Sequence, residues 1–179
     1  MIHTPVRADT HRAAARMFAS GVTIAAAGDG RRTHAITATA FCSLSLDPPM
    51  ILLSVNKGGQ LLDLVRTSGH FGVSILSAEQ QAIGEFGATS GRAPQPSIVH
   101  FDTTIAATGS PLVVGAAAWF DCALKEMADY GDHTVLIGLV VEAWADESAR
   151  PLLYFQGDFH DLGTRMPRKG VDQAERREA

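Results

Sequence analysis

The sequence predicts an α+β domain, mainly β, in which antiparallel strands form a small closed or partly closed barrel flanked by short helices. Short apolar and β-branched runs recur along the chain, turns containing Gly or Pro separate them, and helical periodicity is confined to a few segments. No Gly-rich fingerprint follows the first strand, so a Rossmann fold is not indicated. A bound nucleotide would have to be held in another way.

Length and composition restrict the class of protein. With 179 residues, of which 46% are hydrophobic, the chain fits one domain that buries a sizeable core. No window approaches the roughly 20 apolar residues of a membrane span, and the first residues lack the apolar centre of a signal peptide. We therefore expect a cytoplasmic protein with no membrane partner. The net charge of -4 argues against a nucleic-acid partner.

The chain offers no pattern typical of a metal site. Its two cysteines, Cys42 and Cys122, are far apart, so two reduced, packed thiols are expected, with a disulfide as the less favoured alternative. No pair of histidines has the close helical spacing of a zinc site. We expect no metal.

The first part of the chain predicts a helix followed by a hairpin. Asp9 or Thr10 can cap the helix, whose apolar residues would cover an end of the barrel. The runs 22–27 and 31–41 then read as strands joined by a turn at 28–30. These two strands are expected to be antiparallel neighbours.

A rigid turn precedes the middle of the domain. Asp47-Pro48-Pro49 forces a change of direction, because Pro fixes the backbone and lacks an amide donor. The almost unbroken apolar run 50–55 predicts a buried central strand. Leucine and valine at helical spacing then predict a short helix at 60–67, and a strand follows at 70–76.

A second helix and a loop come next. Ser77 and Gln80 have the capping-box pattern, which predicts a helix that extends to about Phe86. The polar run 87–97 is rich in Gly and Pro and shows neither the helical period nor the alternation of a strand. It predicts an exposed loop.

The last third predicts further strands. The run 116–127 alternates like a half-buried strand, in which Cys122 faces one side and Asp121 the other. The run 134–144 is a long strand with Gly138 at a bend or a close backbone approach, and 151–159 supplies one last short strand. The residues beyond are mostly charged, so we divide the chain into a domain at 1–162 and a flexible tail at 163–179.

Five stretches together resemble the short-chain flavin reductases, the reductase partners of two-component flavin monooxygenases. They are FASGVTI (18–24), ITATAFCSLSLDPPMILLSV (36–55), SGHFGVSIL (68–76), GSPLVVGAAAWFDCAL (109–124) and YGDHTVLIGLVVEA (130–143). The similarity runs in family order from about Phe18 to Phe159. It implies a six-stranded antiparallel FMN-binding split barrel, usually a homodimer with the flavin near the subunit interface.

The resemblance also implies a set of site residues. It places the flavin ring and ribityl chain along the first strand-turn-strand, at Thr37, Ala38, Thr39, Ala40 and Phe41. It places the ribityl and phosphate groups near Ser54, Val55, Asn56, Lys57 and Gln60, and His133 beside flavin and nicotinamide as the residue that sets reaction geometry. Phe86 and Tyr154 would border the pocket, with an ordinary core position as the alternative for both.

The sequence departs from the family at three points. Leu61 stands where a Thr is common, Ala40 where a Ser is frequent, and His34-Ala35 where relatives carry His-Gly. The missing hydroxyls would weaken phosphate binding or shift the preference between FMN and FAD; alternatively, the amides of Gly58 and Gly59 bind the anion. A solvated turn at 56–59 is the structural alternative.

The implied activity is transfer of hydride from NADH or NADPH to FMN or FAD, with reduced flavin supplied to a separate oxygenase. The chain contains no GxSxG, HExxH or P-loop pattern, as expected when the flavin performs the chemistry. Two alternatives remain at this level. One is a flavoprotein that retains FMN and reduces a fixed acceptor such as ferric iron, a corrinoid or a carrier protein, and the other is a non-enzymatic flavin-binding split barrel.

Overall fold

A long antiparallel sheet organises the computed structural model, which describes residues 4–98 and 100–163. Within these residues lie the helices α1 (Ala8–Ala15), α2 (Gln60–Ser68) and α3 (Gln81–Ala88). The strands are β1 (Ser20–Gly21), β2 (Thr23–Gly28), β3 (Thr33–Ala38), β4 (Phe41–Leu46), β5 (Pro49–Asn56), β6 (His70–Ile75), β7 (Thr103–Ile105), β8 (Pro111–Val113), β9 (Ala118–Tyr130), β10 (His133–Ala145), β11 (Leu152–Phe155) and β12 (Asp158–Asp161).

The main sheet is a barrel closed by one bent strand. Its order is β3-β2-β6-β9-β10-β5-β4, and each neighbouring pair is antiparallel. β3 and β4 lie at opposite edges, yet only Thr39 and Ala40 separate them in the chain. The Ser54 amide donates to the Ala40 carbonyl (2.9 Å), which ties this junction to β5. Counted as one strand, β3 and β4 complete the predicted six-stranded antiparallel barrel.

The barrel interior is filled by alternate residues of the strands and by the apolar face of α2. In β5, Ile51, Leu53 and Val55 are buried, whereas Leu52 and Ser54 are half-buried. The prediction that the whole run 50–55 is buried was therefore wrong, because only one face of this strand meets the core. From α2, Leu61, Leu62, Leu64 and Val65 join the same core.

A second apolar cluster lies outside the barrel, between the main sheet and α3. It contains Ile24, Ala35, Leu76 and Leu152, with Ile83 and Phe159 packed against it. The predicted capping box is confirmed, since the Ser77 amide donates to Gln80 Oε1 (3.1 Å) and opens a 3₁₀ turn that leads into α3. This layer fixes α3 across β2 and β3.

The N-terminal helix differs from its prediction. α1 begins at Ala8 with Arg7 at the N-cap position, so neither Asp9 nor Thr10 is the cap. Asp9 lies in the first turn and pairs with Arg7 (3.1 Å). None of the eight residues of α1 is buried, so the helix does not cover the barrel within this chain.

The run 87–97 is largely exposed, as predicted, although Gly87 and Ala88 still belong to α3. It is tied to β3, since Thr33 and Gln95 exchange two backbone hydrogen bonds (2.6 and 3.0 Å). Two other segments correct the sequence predictions. Asp121 is fully buried, because the 106–110 turn covers its side of β9. The run 151–159 forms the two strands β11 and β12, which a turn at Gln156 and Gly157 connects.

Gly138 occupies a close approach, as predicted. The register between β9 and β10 shifts at Ile137 and Gly138. A Cβ at position 138 would lie 2.7 Å from Phe71 Cζ and 2.8 Å from Cys122 Cβ. The bend and the missing side chain let β10 pass over the core without a clash.

Cys42 and Cys122 are both free thiols. Cys122 is buried, and burial raises its pKa to about 12, but Cys42 is exposed, so only one of the two is packed as predicted. No helix of the described chain is both long and apolar enough to cross a membrane. The predicted tail at 163–179 lies, from residue 164 onward, outside the described residues.

Candidate functional site

An open cleft of about 580 Å³ lies where the bent β3–β4 strand meets the end of β5. One side is formed by β3 and its junction with β4, and another by the end of β5 and the turn that starts α2. The segment at 87–92, after α3, forms a further wall, and the first residue of β10 stands at the mouth. All of these elements converge because the barrel closes at this edge.

The floor of the cleft is exposed backbone. Thr39 and Ala40 lie between two strands, and among the described residues their amides donate to no backbone carbonyl. Both residues are exposed and have small side chains. Amides in this position are available to the polar edge of a planar ligand.

Thr37 has a structural hydrogen bond in addition to its place in the cleft. Its hydroxyl donates to the Gly84 carbonyl of α3 (2.6 Å). Gly87, one turn later, has no room for a side chain, since a Cβ there would lie 2.8 Å from Ile24 Cδ1 and 2.9 Å from the Thr37 amide. Small residues thus let α3 lie against β3 and bring the segment that follows it to the cleft.

The turn before α2 presents an anion-accepting surface. Gly58 has a positive φ of 72°, Gly59 is the N-cap of α2, and among the described residues their amides donate to no backbone carbonyl. The positive end of the helix dipole adds to this field. A phosphate group fits such a turn.

Lys57 is held in place by the turn between β9 and β10. Its amide donates to the Asp132 carbonyl (3.0 Å), and its Nζ lies 3.4 Å from Asp129 Oδ2. The hydrogen bond from Thr134 and the pairing with Lys57 lower the pKa of Asp129, so its carboxylate remains ionised. The lysine charge is therefore oriented, though partly balanced, beside the turn.

Arg92 fixes the opposite wall. Its Nη2 donates to the carbonyls of Ala35 (2.6 Å) and Gly87 (3.1 Å), and its Nε to that of Thr89 (3.1 Å). Its guanidinium also stacks 4.3 Å from the ring centre of Phe86. These contacts hold the 87–92 segment against β3.

His133 stands at the mouth, where β10 begins opposite Asn56 of β5. Its Nδ1 lies 2.7 Å from Asp132 Oδ1, and 41% of its side chain is exposed. The hydrogen bond to His133 is the main reason why the pKa of Asp132 is lowered. The carboxylate therefore orients the imidazole and leaves its other nitrogen for a ligand.

The charge of the cleft is opposite to that of the protein. Its lining contains Lys57 and Arg92 and, within the described residues, no Asp or Glu, although the chain carries a net charge of -4. Burial and the charge of Arg92 lower the pKa of His34, which stays neutral near pH 7. The arrangement selects an anionic ligand.

The structure brings most of the predicted site residues together. Those that line the cleft are Thr37, Ala38, Thr39, Ala40, Ser54, Val55, Asn56, Lys57, Gln60 and His133. Three others lie elsewhere. Phe41 packs on Phe120 (ring centres 5.5 Å apart), Phe86 lines a neighbouring cavity, and Tyr154 packs edge-on against Phe159.

Sequence reasoning missed the wall at 87–92. The segment GATSGR was interpreted only as an exposed loop, yet Gly87, Thr89, Ser90, Gly91 and Arg92 all line the cleft. A cation that follows small and hydroxyl residues directly after a helix was the available signal. It could not be placed without knowing which strand the helix packs against.

Comparisons with known proteins found a matching family model, similar sequences and a similar structure. The family model described as a flavin reductase like domain matches residues 15–163. An NADH-dependent flavin reductase from Rhodococcus sp is 36% identical over 154 residues, or 84% of each chain. The reductase component of 4-hydroxyphenylacetate 3-monooxygenase from Thermus thermophilus is 40% identical over 145 residues, 81% of this chain and 90% of that one. The crystal structure of BorF, the flavin reductase component of a bacterial two-component tryptophan halogenase, superposes with a TM-score of 0.80 at 37% identity, covering 89% of this chain and all of the other.

Proposed function

The chain belongs to the flavin reductase like family, and on that premise we propose that it is an NAD(P)H-dependent flavin reductase. It transfers hydride from a nicotinamide nucleotide to FMN or FAD and supplies reduced flavin to a separate monooxygenase. The observation that carries the proposal is the cleft itself. It combines exposed backbone amides, a helix N-terminus and two cations, with no carboxylate among its described lining residues.

A flavin, when bound, supplies the capacity to accept a hydride from a nicotinamide. The residues of this chain bind and orient the flavin and the nicotinamide. The amides of Thr39 and Ala40 hold the polar edge of the ring, while Lys57 and the turn at Gly58 and Gly59 hold a phosphate. His133, oriented by Asp132, positions the nicotinamide at the open side of the cleft.

Steady-state turnover tests this function. Purified protein is assayed for NADH and NADPH oxidation with FMN, with FAD and without added flavin. We expect oxidation that depends on added flavin and saturates with it. Nicotinamide oxidation that stays at the no-enzyme rate with both flavins would contradict the proposal, and retention of FMN through gel filtration with slow reduction of free flavin would favour the fixed-acceptor alternative.

We further propose that the protein is a homodimer. The outer face of β4, β5 and β10 is apolar and half-exposed, with Leu52 opposite Ile137 and Met50 opposite Leu139. Leu46, beside it, is 87% exposed. A second copy of this chain on that face would bury these side chains.

We place the reaction in the cytoplasm. Cys42 is an exposed free thiol and Cys122 a buried one. Thiols in this state are typical of a reducing compartment. The oxygenase that would receive the reduced flavin is expected in the same compartment.

A further inference from the structure

A second cavity of about 370 Å³ adjoins the cleft on the other side of Arg92. It lies between β3 and the segment after α3, and its volume falls in the range of roughly 300–1,000 Å³ typical of small-molecule sites. Its mouth is formed by exposed residues, Ala93, Gln95, Ser97 and His100. A ligand can therefore enter from solvent.

An aromatic stack forms one wall of this cavity. The rings of Phe86 and His100 lie 4.1 Å apart at 34°, and Arg92 covers Phe86 at 4.3 Å from the ring centre. Ile98 and Ala35 add apolar surface. Layers of this kind accept a further planar ring, because every base has a π-face that stacks on aromatic or guanidinium groups.

The polar groups of the cavity suit a nucleotide rather than a cation. Gln95 and Ser97 place an amide and a hydroxyl at the rim, and among the described lining residues there is no Asp or Glu. Arg92 contributes a positive charge. An electron-rich heterocycle with a neighbouring phosphate meets both requirements.

The two cavities are neighbours that share part of their lining. His34 and Arg92 line both of them. Because three hydrogen bonds to backbone carbonyls fix Arg92, its guanidinium is a stationary divider between the two spaces. A molecule with two nucleotide halves can place one on each side of it.

We infer that the second cavity is an adenylate subsite. It takes the AMP half of a dinucleotide whose other half occupies the main cleft, an inference that rests on the proposed function. Either FAD or the nicotinamide dinucleotide supplies this AMP half, and the two sources share its chemistry. FMN and nicotinamide mononucleotide leave the subsite empty.

The test compares dinucleotides with mononucleotides. His100→Ala removes the outer layer of the stack, and Ala93→Glu introduces a negative charge at the mouth. Ala82→Glu, on the exposed side of α3 and outside the lining, is the matched control. Dissociation constants for FMN, FAD and AMP are measured by titration, and KM is measured for NADH and for reduced nicotinamide mononucleotide.

We expect His100→Ala and Ala93→Glu to weaken the binding of one dinucleotide about tenfold, the loss typical of one stacked base. Binding of the corresponding mononucleotide should be unaffected. A loss for FAD but not FMN assigns the subsite to the flavin. A rise in KM for NADH but not for the reduced mononucleotide assigns it to the electron donor. Equal effects on both members of each pair, or no effect on either dinucleotide, would overturn the inference.

The binding measurements separate this inference from the proposed function. Dissociation constants for FMN, FAD and AMP do not require turnover. If the wild-type protein binds flavins but reduces none of them, the proposed function fails and the subsite is still tested. If turnover is normal and the variants bind FAD and NADH like the wild type, only the subsite fails.

Discussion

Two residues at the mouth of the cleft, Lys57 and His133, depend on acidic neighbours at the end of β9 and in the turn that follows it. Asp129 pairs with Lys57 at 3.4 Å, and Asp132 pairs with His133 at 2.7 Å. Both carboxylates are largely exposed, so each pairing contributes orientation more than stability. The functional contribution of each cation or imidazole can therefore be measured without unfolding the protein.

For His133 we expect an effect on the electron donor and not on flavin. His133→Ala should lower kcat/KM for NADH roughly five- to tenfold, the loss of about one hydrogen bond, while the dissociation constant for FMN is unchanged. Steady-state kinetics and flavin titration measure the two quantities. His160→Ala, at an exposed site in β12, is the control. Unchanged kinetics of His133→Ala would assign His133 a purely structural role.

For Lys57 we expect an effect on phosphate binding. Lys57→Gln should weaken FMN binding roughly fivefold, because an exposed ion pair contributes up to about 1 kcal/mol, and should leave riboflavin binding unchanged. The loss should shrink at high salt, since salt screens exposed charges. Lys125→Gln is the matched control on an exposed position of β9. If Lys57→Gln binds FMN as tightly as the wild type, phosphate binding would be assigned to the amides of Gly58 and Gly59 instead.

At the scale of elements, the cleft depends on how closely α3 lies against β3. The contact uses Gly84, whose carbonyl accepts the Thr37 hydroxyl, and Gly87, which has no space for a Cβ. A helix with larger residues at these positions would stand further from the strand. The wall at 87–92 would then move away from the junction at Thr39 and Ala40.

Gly87→Ala should both destabilise the protein and weaken flavin binding. Overpacking costs about 1–3 kcal/mol, which corresponds to a fall in Tm of roughly 2–12 °C for a chain of this size. Thermal unfolding and FMN titration measure the two effects. Gly21→Ala is the control, because a Cβ at Gly21 meets nothing within 4 Å. A variant with wild-type Tm and FMN affinity would show that α3 can shift without affecting the site.

A partly buried hydrogen-bond chain connects β6 to β9 outside the lining of the cleft. His70 Nδ1 lies 2.8 Å from Ser110 Oγ, which lies 2.8 Å from Thr108 Oγ1. The Thr108 hydroxyl and amide donate to Asp121, which is fully buried. Because Thr108 donates its proton to the carboxylate, the chain runs in one direction, from a neutral His70 to Asp121.

This chain predicts a dependence of stability on pH. Burial lowers the pKa of His70, and the negative charge of Asp121 opposes this shift. In the unfolded chain His70 has the ordinary histidine pKa of about 6.5. As the pH falls below that value, the unfolded state therefore binds a proton that the folded state excludes. Its contribution to stability is present above that value and is lost as the pH falls through the folded pKa. Urea unfolding from about pH 7.5 to about pH 5 should show a shallower pH dependence for His70→Gln than for the wild type and for His160→Gln. Identical slopes would contradict this.

At the scale of the whole molecule, the apolar outer face of β4, β5 and β10 is the surface that a partner copy is expected to cover. Its side chains face outward because their neighbours in β5, Ile51 and Leu53, face the core. α1 contributes no buried residue within one chain. Both features are accounted for if the functional unit is larger than one chain.

Leu52→Glu should convert the proposed dimer to a monomer, because it places a charge at the centre of the apolar face. Size-exclusion chromatography with light scattering gives the mass of each species. Thr104→Glu, at an exposed position of β7, is the control and should remain dimeric. A monomeric wild type, or a Leu52→Glu variant that remains dimeric, would contradict the homodimer.

Much of the fold could be predicted because its signals are local. Turn residues at 28–30, the Asp47-Pro48-Pro49 turn and the capping box at Ser77 and Gln80 act on adjacent residues, and the structure confirms them. Errors arose where a distant segment decides burial. Asp121 was expected on an exposed face, because alternation along a strand carries no information about the 106–110 turn that covers it.

The sequence by itself determined the barrel class and the order of its strands and helices, and the resemblance of its motifs to the short-chain flavin reductases implied the ten predicted site residues that line the cleft. The class and the order of elements could be predicted because the turns and periods that indicate them lie in short stretches of the chain. Only the tertiary structure decided that β3 and β4 close the barrel as one bent strand, and that Arg92 joins the site across the sheet. It also placed Phe41, Phe86 and Tyr154 outside the cleft. These outcomes depend on contacts between residues far apart in the chain, which packing selects and local propensity does not encode.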